Sequence, residues 1–174
     1  MVRMLAGMPR TKTLLIVYHS LTGGTLHMVH ALRDGALAQG DGVHVHLLHA
    51  CKAQPDDVLQ ADGYVFATPE NLAAMSGLMK DFFDRCYYRV LDQINGRPYA
   101  TLVCAGSDGS NAARQIARIA TGWRLKAVAA PLIVCTHAQT PEAIAAPKHL
   151  SAQALVPCHT LGCALACGLQ MGIF

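Results

Sequence analysis

Charged side chains are scarce in this chain. Asp, Glu, Lys and Arg together make up 14% of its 174 residues, whereas hydrophobic residues make up 52%. A chain with so few charges often covers part of its apolar surface by self-association, so we expect a homo-dimer or a homo-tetramer. The net charge is only +3 and no run of basic residues occurs. We therefore expect no nucleic acid partner.

Paired cysteine motifs are also lacking, although the chain has seven cysteines. No Cys-x-x-Cys occurs, the number is odd, and most of the cysteines lie within apolar segments. This pattern indicates reduced, buried thiols in a cytoplasmic protein. Residues 1–11 lack the apolar core of a signal peptide. We treat them as an N-terminal extension of a single domain at 12–174.

No hydrophobic run reads as an unbroken membrane span. Residues 154–174 come nearest, but Pro157, His159, Gln170 and several glycines interrupt the run. We expect a buried terminal helix at this place and no membrane partner.

The stretch with the most informative pattern is residues 13–26, TLLIVYHSLTGGTL. Leu14 to Tyr18 are branched or aromatic apolar residues, as in a strand that is buried on both faces. Small polar residues follow, and a helical spacing begins at Leu26. A strand, a tight turn and a helix in this order point several backbone N–H groups, and the positive end of the helix dipole, at one spot. The pattern favours a phosphate-binding turn.

Two common phosphate-binding motifs are absent from this turn. There is no Gly-Lys-Ser/Thr of a Walker A loop and no GxGxxG of a dinucleotide-binding loop. The turn instead has three hydroxyls, Ser20, Thr22 and Thr25, and neither lysine nor arginine. Hydroxyls and amides without a countercharge suit a terminal phosphomonoester. An ordinary strand-to-helix turn is the alternative.

Strands and helices alternate five times along the chain, which predicts an α/β fold with a parallel sheet between helical layers. The expected strands lie near 14–18, 43–47, 64–67, 99–105 and 125–135. His44 and His46 alternate with apolar residues in the second strand, and Pro131 lies in the fifth, so we expect both strands at sheet edges. Ser76 and Ser110 are expected to cap the helices that follow the third and fourth strands.

Ligands of such sheets bind outside the carboxyl ends of the strands. Three loops are expected to meet there, at 19–25, 68–75 and 105–110. The residues between the fifth strand and about Lys148 are expected to form a further loop, and the terminal helix follows it.

The second of these loops continues into the helix after it as ATPENLAAMSGLMKDFFDR. With Met75-Ser76-Gly77 and Met79-Lys80-x-Phe82, it resembles the flavin-side loop and helix of the flavodoxin-like NAD(P)H-dependent oxidoreductases. That family includes FMN reductases and quinone reductases of the tryptophan-repressor-binding-protein type. Two further motifs, Ser20-x-Thr22-Gly23-x-Thr25 and 105–109, extend the resemblance over nearly the whole chain. It implies a flavodoxin-like three-layer α/β/α fold with a five-stranded parallel sheet in the order 2-1-3-4-5.

The resemblance also implies FMN bound by the three loops. The phosphate would contact Ser20, Leu21, Thr22, Gly23, Gly24, Thr25 and Leu26. The isoalloxazine edges would contact Pro69, Glu70, Asn71, Leu72, Ala105, Gly106, Ser107, Asp108 and Gly109. NAD(P)H would donate two electrons, and a quinone, a flavin or a related acceptor would take them up. The cofactor supplies this chemistry, so we name no catalytic side chain.

Two other functions share these motifs. A flavodoxin-type electron carrier usually sandwiches its flavin between aromatic side chains and is strongly acidic. Here Trp123, Tyr87 and Tyr88 lie outside the loops and the chain is not acidic, which counts against a carrier. A non-catalytic or regulatory FMN-binding protein would have the same motifs as the enzyme.

Metal binding is a further alternative on residue types alone. His44, His46 and His49 form one candidate group, and His159 forms a second with Cys163 and Cys167. An edge strand and an apolar helix are ordinary places for these residues, so we expect no metal.

Overall fold

The structure, a computed structural model, describes residues 10–174. Most of the extension expected at 1–11 lies outside the described residues, and the domain boundary stays a prediction. The elements in chain order are β1 (Lys12–Tyr18), α1 (Gly24–Leu37), β2 (Val43–His49), α2 (Pro55–Gln60), β3 (Gly63–Asn71), β4 (Ala74–Met75), α3 (Gly77–Val90), β5 (Pro98–Ala105), α4 (Ser110–Gly122), β6 (Lys126–Ala127), β7 (Leu132–Cys135), α5 (Pro141–Ala145) and α6 (Ala152–Met171).

The main sheet is parallel, with the order β2-β1-β3-β5 and with β6 and β7 both paired to β5 on its far side. This is the expected order 2-1-3-4-5, with the fifth strand in two pieces. The continuous strand expected at 125–135 was wrong. Pro131 lies between the two pieces. It interrupts the strand because a proline has no N–H to donate to a neighbouring strand.

Alternate residues of β1 face opposite helical layers. Leu15 and Val17 belong to a core shared with α2, α3 and α4, whereas Leu14 and Ile16 belong to a core shared with α1 and α6. All four side chains are fully buried, as in a parallel strand that is covered on both faces. The molecule is therefore the expected three-layer α/β/α sandwich.

Most aromatic side chains lie in the core beneath α3 and α4. The rings of Phe66, Phe83 and Trp123 contact one another, with centroids between 4.9 and 6.2 Å apart. Tyr64 and Tyr99 flank Phe66 in the same core. These aromatic residues therefore stabilise the interior of the molecule.

The helix α3 begins as expected. The Ser76 hydroxyl accepts a hydrogen bond from the Met79 amide at 3.4 Å, and the Thr68 hydroxyl accepts one from the Ser76 amide at 3.0 Å. The side chains of Met79, Phe82, Phe83, Cys86 and Val90 form the buried face of α3, whereas Leu78 is exposed. The following helix, α4, begins after Gly109 rather than after Ser110.

The terminal helix α6 packs closely along α1. A Cβ on Gly35 would overlap the carbonyl of His159, and a Cβ on Gly162 would overlap the carbonyl of Leu32. Glycine at these positions lets the two helix backbones touch.

The helix α6 is less buried than expected. It runs unbroken past Pro157, and its outer face, which includes Val156 and Met171, is exposed. Pro157 leaves the Gln153 carbonyl without its helical partner, and Gln153 is exposed to water, so the helix is not broken. By length and composition α6 is apolar enough to cross a membrane, a property that helices packed in a core share. The absence of a membrane partner stays a prediction.

All seven cysteines are free. The expectation that most are buried was wrong, since only Cys86, Cys104 and Cys158 are buried while Cys51 is exposed. Burial raises the pKa of each of these three thiols to about 11. They are therefore protonated at neutral pH and are poor nucleophiles.

Candidate functional site

A cleft of about 140 Å³ lies at the carboxyl edge of the sheet, where β1, β3 and β5 end. Residues from all three expected loops line it, together with a fourth segment that the sequence did not single out. Its lining residues are Ser20, Leu21, Thr22, Gly24, Thr25, Pro69, Glu70, Asn71, Cys104, Ala105, Gly106, Thr136, Ala138, Ile144 and Lys148. The expected site residues that do not line this cleft are Gly23, Leu26, Leu72, Ser107, Asp108 and Gly109.

The turn between β1 and α1 is closed from within by Ser20. Its hydroxyl oxygen accepts hydrogen bonds from the amides of Gly23 and Leu26, at 3.2 and 3.3 Å. Gly23 has a φ of 94°, a conformation that favours glycine. The helix begins at Gly24, which is two residues before Leu26, the start that the apolar spacing predicted. Gly23 and Leu26 thus shape the turn, and neither borders the cleft.

Thr25 and Gly24 bring the start of α1 to the wall of the cleft. The Thr25 side chain is 1% exposed, and its hydroxyl has no hydrogen-bond partner among the described residues. A buried hydroxyl without a partner is unfavourable. Because the hydroxyl lies beside the first amides of a helix, which also lack helical partners, the site is suited to an acceptor-rich anion.

The second expected loop is a β-hairpin in the structure, so the loop assigned to 68–75 was wrong in its secondary structure. The strand β3 continues to Asn71 because Thr68 and Pro69 still pair with β5. The chain then reverses at Leu72 and Ala73, whose φ values are 50° and 58°, and returns as β4. Such a turn normally contains Asn or Gly, and this is why its sequence does not predict it.

Three hydrogen bonds hold the hairpin against the third loop and α4. The Gly109 amide donates to the Glu70 carboxylate at 2.9 Å, and the Met75 amide donates to the Gln115 side chain at 2.9 Å. The Asn111 side chain also donates to the carbonyl of Ala73. The two loops that were expected to contact the isoalloxazine ring are therefore fixed relative to each other.

The third loop divides into a lining part and a supporting part. Ala105 and Gly106 border the cleft. Gly109 has a φ of 79° and lies against Ile133, while Asp108 accepts a hydrogen bond from Ser110. Asp108 and Gly109 therefore hold the loop in position.

The fourth segment is residues 136–148, which we call the strap. The amides of Thr136 and His137 donate to the carbonyls of Ala105 and Gly106, at 2.9 and 2.8 Å. At the other end the Lys148 amide donates to the carbonyl of Thr22 at 2.6 Å. The strap contains α5, whereas a plain loop was expected. Its sequence did carry a signal, because Thr140-Pro141-Glu142 is a typical helix start.

A second, more open depression of about 550 Å³ adjoins the cleft. The two share the residues Glu70, Asn71, Gly106, Ala138 and Ile144. Leu72, Ala73 and Ser107 border the depression alone, and Leu72 is fully exposed. Sites for ligands of cofactor size usually enclose about 300–1,000 Å³, so the cleft and the depression together have the necessary space.

The charges around the cleft are few. Cys104 lies in its wall, where a Cβ on Gly24 would overlap the cysteine sulfur. Burial raises the pKa of that thiol to about 11 even though the Lys148 ammonium lowers it. His19 is buried beside the turn, and desolvation, followed by the nearby His49, lowers its pKa. Neither a thiolate nor an imidazolium is therefore favoured here at neutral pH.

Metal ligands do not converge in residues 10–174, where no group of three or more His, Cys, Asp or Glu side chains is placed to hold an ion. In one group His44 contacts His46, while His49 contacts Cys51. In the other, His159 contacts Cys163, whereas Cys167 donates to Gln39.

Solved structures with the same architecture are flavodoxins and related proteins. A flavodoxin from the domain Archaea superposes with a TM-score of 0.72 at 18% identity, covering 91% of this chain and 99% of that one. A WrbA-like flavodoxin from Agrobacterium tumefaciens superposes with a TM-score of 0.70 at 16% identity, covering 92% and 98%. These likenesses show the flavodoxin-like fold.

Sequence comparison identifies the family. Residues 52–140 match the NADPH-dependent FMN reductase family, and the chain belongs to it. A flavodoxin from Aquifex aeolicus is 34% identical over 93 residues, which cover 53% of this chain and 48% of the relative. An NAD(P)H dehydrogenase (quinone) from Acidithiobacillus ferrooxidans is 33% identical, covering 41% and 46%. The chain thus matches about half the length of these curated relatives.

Proposed function

We propose that this chain is an FMN-dependent oxidoreductase that transfers two electrons from NAD(P)H to a quinone, a flavin or a related acceptor. Bound FMN supplies the hydride and electron transfer. The chain's own residues bind it, orient it and leave one face of its ring accessible. The family membership and the relative described as an NAD(P)H dehydrogenase (quinone) support this function.

The cleft fits the phosphate end of FMN. The observation that supports this assignment most strongly is the buried Thr25 hydroxyl. It has no hydrogen-bond partner among the described residues and lies at the first turn of α1. A phosphate oxygen would accept a hydrogen bond from this hydroxyl, while the amides at the start of α1 would donate to the same group. Thr22 and Ser20 also line the cleft, and their hydroxyls would donate further hydrogen bonds to the phosphate.

The adjoining depression fits the ring end of FMN. The hairpin, Gly106 and Ser107 of the third loop, and the strap form its wall. Amides of the hairpin and of the Ala105–Gly109 loop would bind the pyrimidine edge and stabilise negative charge near N1. Within the described part of the chain, no aromatic side chain lines either the cleft or the depression. A nicotinamide or a quinone then has room to stack on the ring, which favours an enzyme over an electron carrier.

Steady-state oxidation of NADPH and of NADH, with a benzoquinone as acceptor, tests this function on FMN-loaded protein. We expect turnover with at least one nicotinamide, and a fall in turnover at limiting FMN when Ser20, Thr22 and Thr25 are all replaced by alanine. Thr160→Ala, on the exposed face of α6, is the matched control. Negligible nicotinamide oxidation by FMN-loaded wild-type protein would contradict the proposed enzymatic function.

Two alternatives predict different results in the same assay. A flavodoxin-type electron carrier, the function suggested by the Aquifex relative, would accept electrons from a reductase but would not oxidise NAD(P)H itself. A non-catalytic FMN-binding or regulatory protein would bind FMN and do neither.

The homo-dimer or homo-tetramer is part of the proposal. Several large apolar side chains are exposed in the monomer, among them Tyr88 at 84% and Leu72 at 103%, and such surface is often covered by self-association. Light scattering coupled to size exclusion tests this, and a monomer at micromolar concentration would contradict it. The cytoplasmic location stays a prediction.

A further inference from the structure

Among residues 10–174, the cleft is lined by one basic side chain, which has no acidic partner in that part of the chain. Lys148 is the only lysine or arginine among the described residues that line the cleft. None of the ion pairs formed within residues 10–174 includes it. Its charge is therefore not neutralised by a neighbouring carboxylate of the described chain.

The backbone of Lys148 lies directly on the phosphate-binding turn. Its amide donates to the carbonyl of Thr22 at 2.6 Å. Its carbonyl oxygen is 3.6 Å from the place where a Cβ on Gly23 would stand, and its own Cβ is 3.5 Å from the corresponding place on Gly24. The strap thus brings a lysine to a turn that has no basic residue in its own sequence.

The ammonium group is held in place by the strap itself. It donates to the carbonyls of Ala143, Ile144 and Ala146, at 2.8, 2.8 and 2.6 Å. These carbonyls lie at the end of α5, where a cation is favourable. Carbonyl oxygens carry only partial charge, so the site retains a net positive charge. The side chain is half-buried, and its field is less screened than that of a fully exposed lysine.

We propose that Lys148 supplies the positive charge that the phosphate-binding turn lacks, and so makes the site select a phosphorylated flavin over an unphosphorylated one. The inference rests on the proposed function. A phosphomonoester dianion gains favourable electrostatic energy from an uncompensated ammonium beside it. Riboflavin has the same ring and side chain without the phosphate, so its binding gains nothing from this charge.

Titration of flavin fluorescence with four proteins tests the proposal: wild type, Lys148→Met, Lys148→Arg and Lys126→Met. Lys126→Met removes the same charge from an exposed position at the opposite end of β5. We expect Lys148→Met to weaken FMN binding by about five- to tenfold and to leave riboflavin binding unchanged. Lys148→Arg and Lys126→Met should bind FMN like wild type. Added KCl should weaken FMN binding by wild type more than by Lys148→Met.

Riboflavin binding distinguishes an electrostatic role of Lys148 from a purely structural role at the end of α5. Equal weakening of FMN and riboflavin would mean that the lysine only orders the strap, and would overturn the proposal. Unchanged FMN affinity in Lys148→Met, with an unchanged salt dependence, would overturn it as well. Both outcomes leave the proposed function intact, whereas wild-type protein that does not bind FMN would overturn the proposed function and this inference together.

Discussion

Thr25 has the most unusual environment of any polar side chain at the cleft. Its hydroxyl is buried and has no partner among the described residues, although such groups are nearly always hydrogen-bonded in folded proteins. The Ser20 hydroxyl, in the same turn, instead accepts hydrogen bonds from two backbone amides, those of Gly23 and Leu26. The three hydroxyls that the sequence offers therefore have different roles.

Thr25→Val removes the unpartnered hydroxyl and keeps the shape of the side chain. We expect the FMN-free variant to be as stable as wild type or more stable, because no hydrogen bond is lost and an unsatisfied polar group is removed. We expect FMN binding to weaken about tenfold or more, the effect of losing a hydrogen bond to a charged group. Thermal unfolding of the FMN-free proteins and FMN titration measure the two effects.

Thr160→Val, on the exposed face of α6, is the matched control and should leave FMN affinity unchanged. A Thr25→Val protein that is destabilised and yet binds FMN normally would mean that the hydroxyl has a structural role only.

Gly24→Ala tests the close contact between α1 and the wall of the cleft. The new Cβ would overlap the sulfur of Cys104 and come within 3.5 Å of the Lys148 Cβ. We expect a loss of about 1–3 kcal/mol in the free energy of unfolding, together with weaker FMN binding, because the start of α1 must move. Urea denaturation measures the stability.

Gly77→Ala is the control for this substitution. Gly77 begins α3 and has open space around it, so alanine there should have little effect or stabilise the protein slightly. Equal stability of Gly24→Ala and wild type would contradict the packing described for the cleft.

Secondary-structure elements bring the four parts of the site together, and the sequence predicts some of them better than others. Hydrophobic periodicity located β1, α1 and α3 well, because buried faces leave a regular pattern. It missed the hairpin at 70–75, since Leu72 and Ala73 are in a turn conformation that such residues rarely adopt. It also missed the role of the strap, whose residues are mostly exposed and have no periodic pattern.

Gly162→Ala tests the contact between α1 and α6. The added methyl would overlap the carbonyl of Leu32, a backbone atom that moves only if a whole helix moves. We expect a loss of about 3 kcal/mol or more in the free energy of unfolding, which urea denaturation measures.

Gly122→Ala is the matched control for Gly162→Ala. Gly122 ends α4 in open space, and alanine there should be neutral or stabilising. Equal stability of the two variants would mean that α6 does not lie on α1 as described.

For the molecule as a whole, the two ends of the sheet have different roles. The carboxyl end forms the cleft. At the amino end Asp62 accepts hydrogen bonds from the Thr13 amide and the Lys12 ammonium, at 2.9 and 3.2 Å, and so joins the starts of β1 and β3. Burial alone would raise the pKa of Asp62, but these hydrogen bonds and the charges of Lys12 and Arg10 outweigh it and lower the pKa below its ordinary value.

A lowered carboxyl pKa makes stability depend on pH in a defined direction. The ionised form of Asp62 contributes stability above its ordinary pKa of 3.8, and this contribution is lost as the pH falls through the lower value in the folded protein. We expect Asp62→Asn to be less stable than wild type by about 1 kcal/mol near neutral pH. The difference should shrink in acid. Urea denaturation across the acid range measures it.

FMN affinity is the internal control for Asp62→Asn. It should be unchanged, because Asp62 lies at the end of the sheet away from the cleft. A stability difference that stays constant down to the lowest pH would contradict the assignment.

The sequence predicts more of the architecture than of the site's chemistry. The alternation of strands and helices is enough to predict the three layers. Pro131 correctly indicated an edge position for the fifth strand, although it also divides that strand. The turn at Ser20–Thr25 was located from its residue types. Lys148 was missed because it is far from that turn in sequence, and only the folded strap brings the two together.

A crystal structure of the protein grown with saturating FMN tests the central claim most directly. We predict a phosphate within hydrogen-bond distance of the Thr25 hydroxyl and the first amides of α1, with the ring between the 70–75 hairpin and the Ala105–Gly109 loop. A cleft that stays empty under these conditions, or a phosphate bound elsewhere on the molecule, would contradict it.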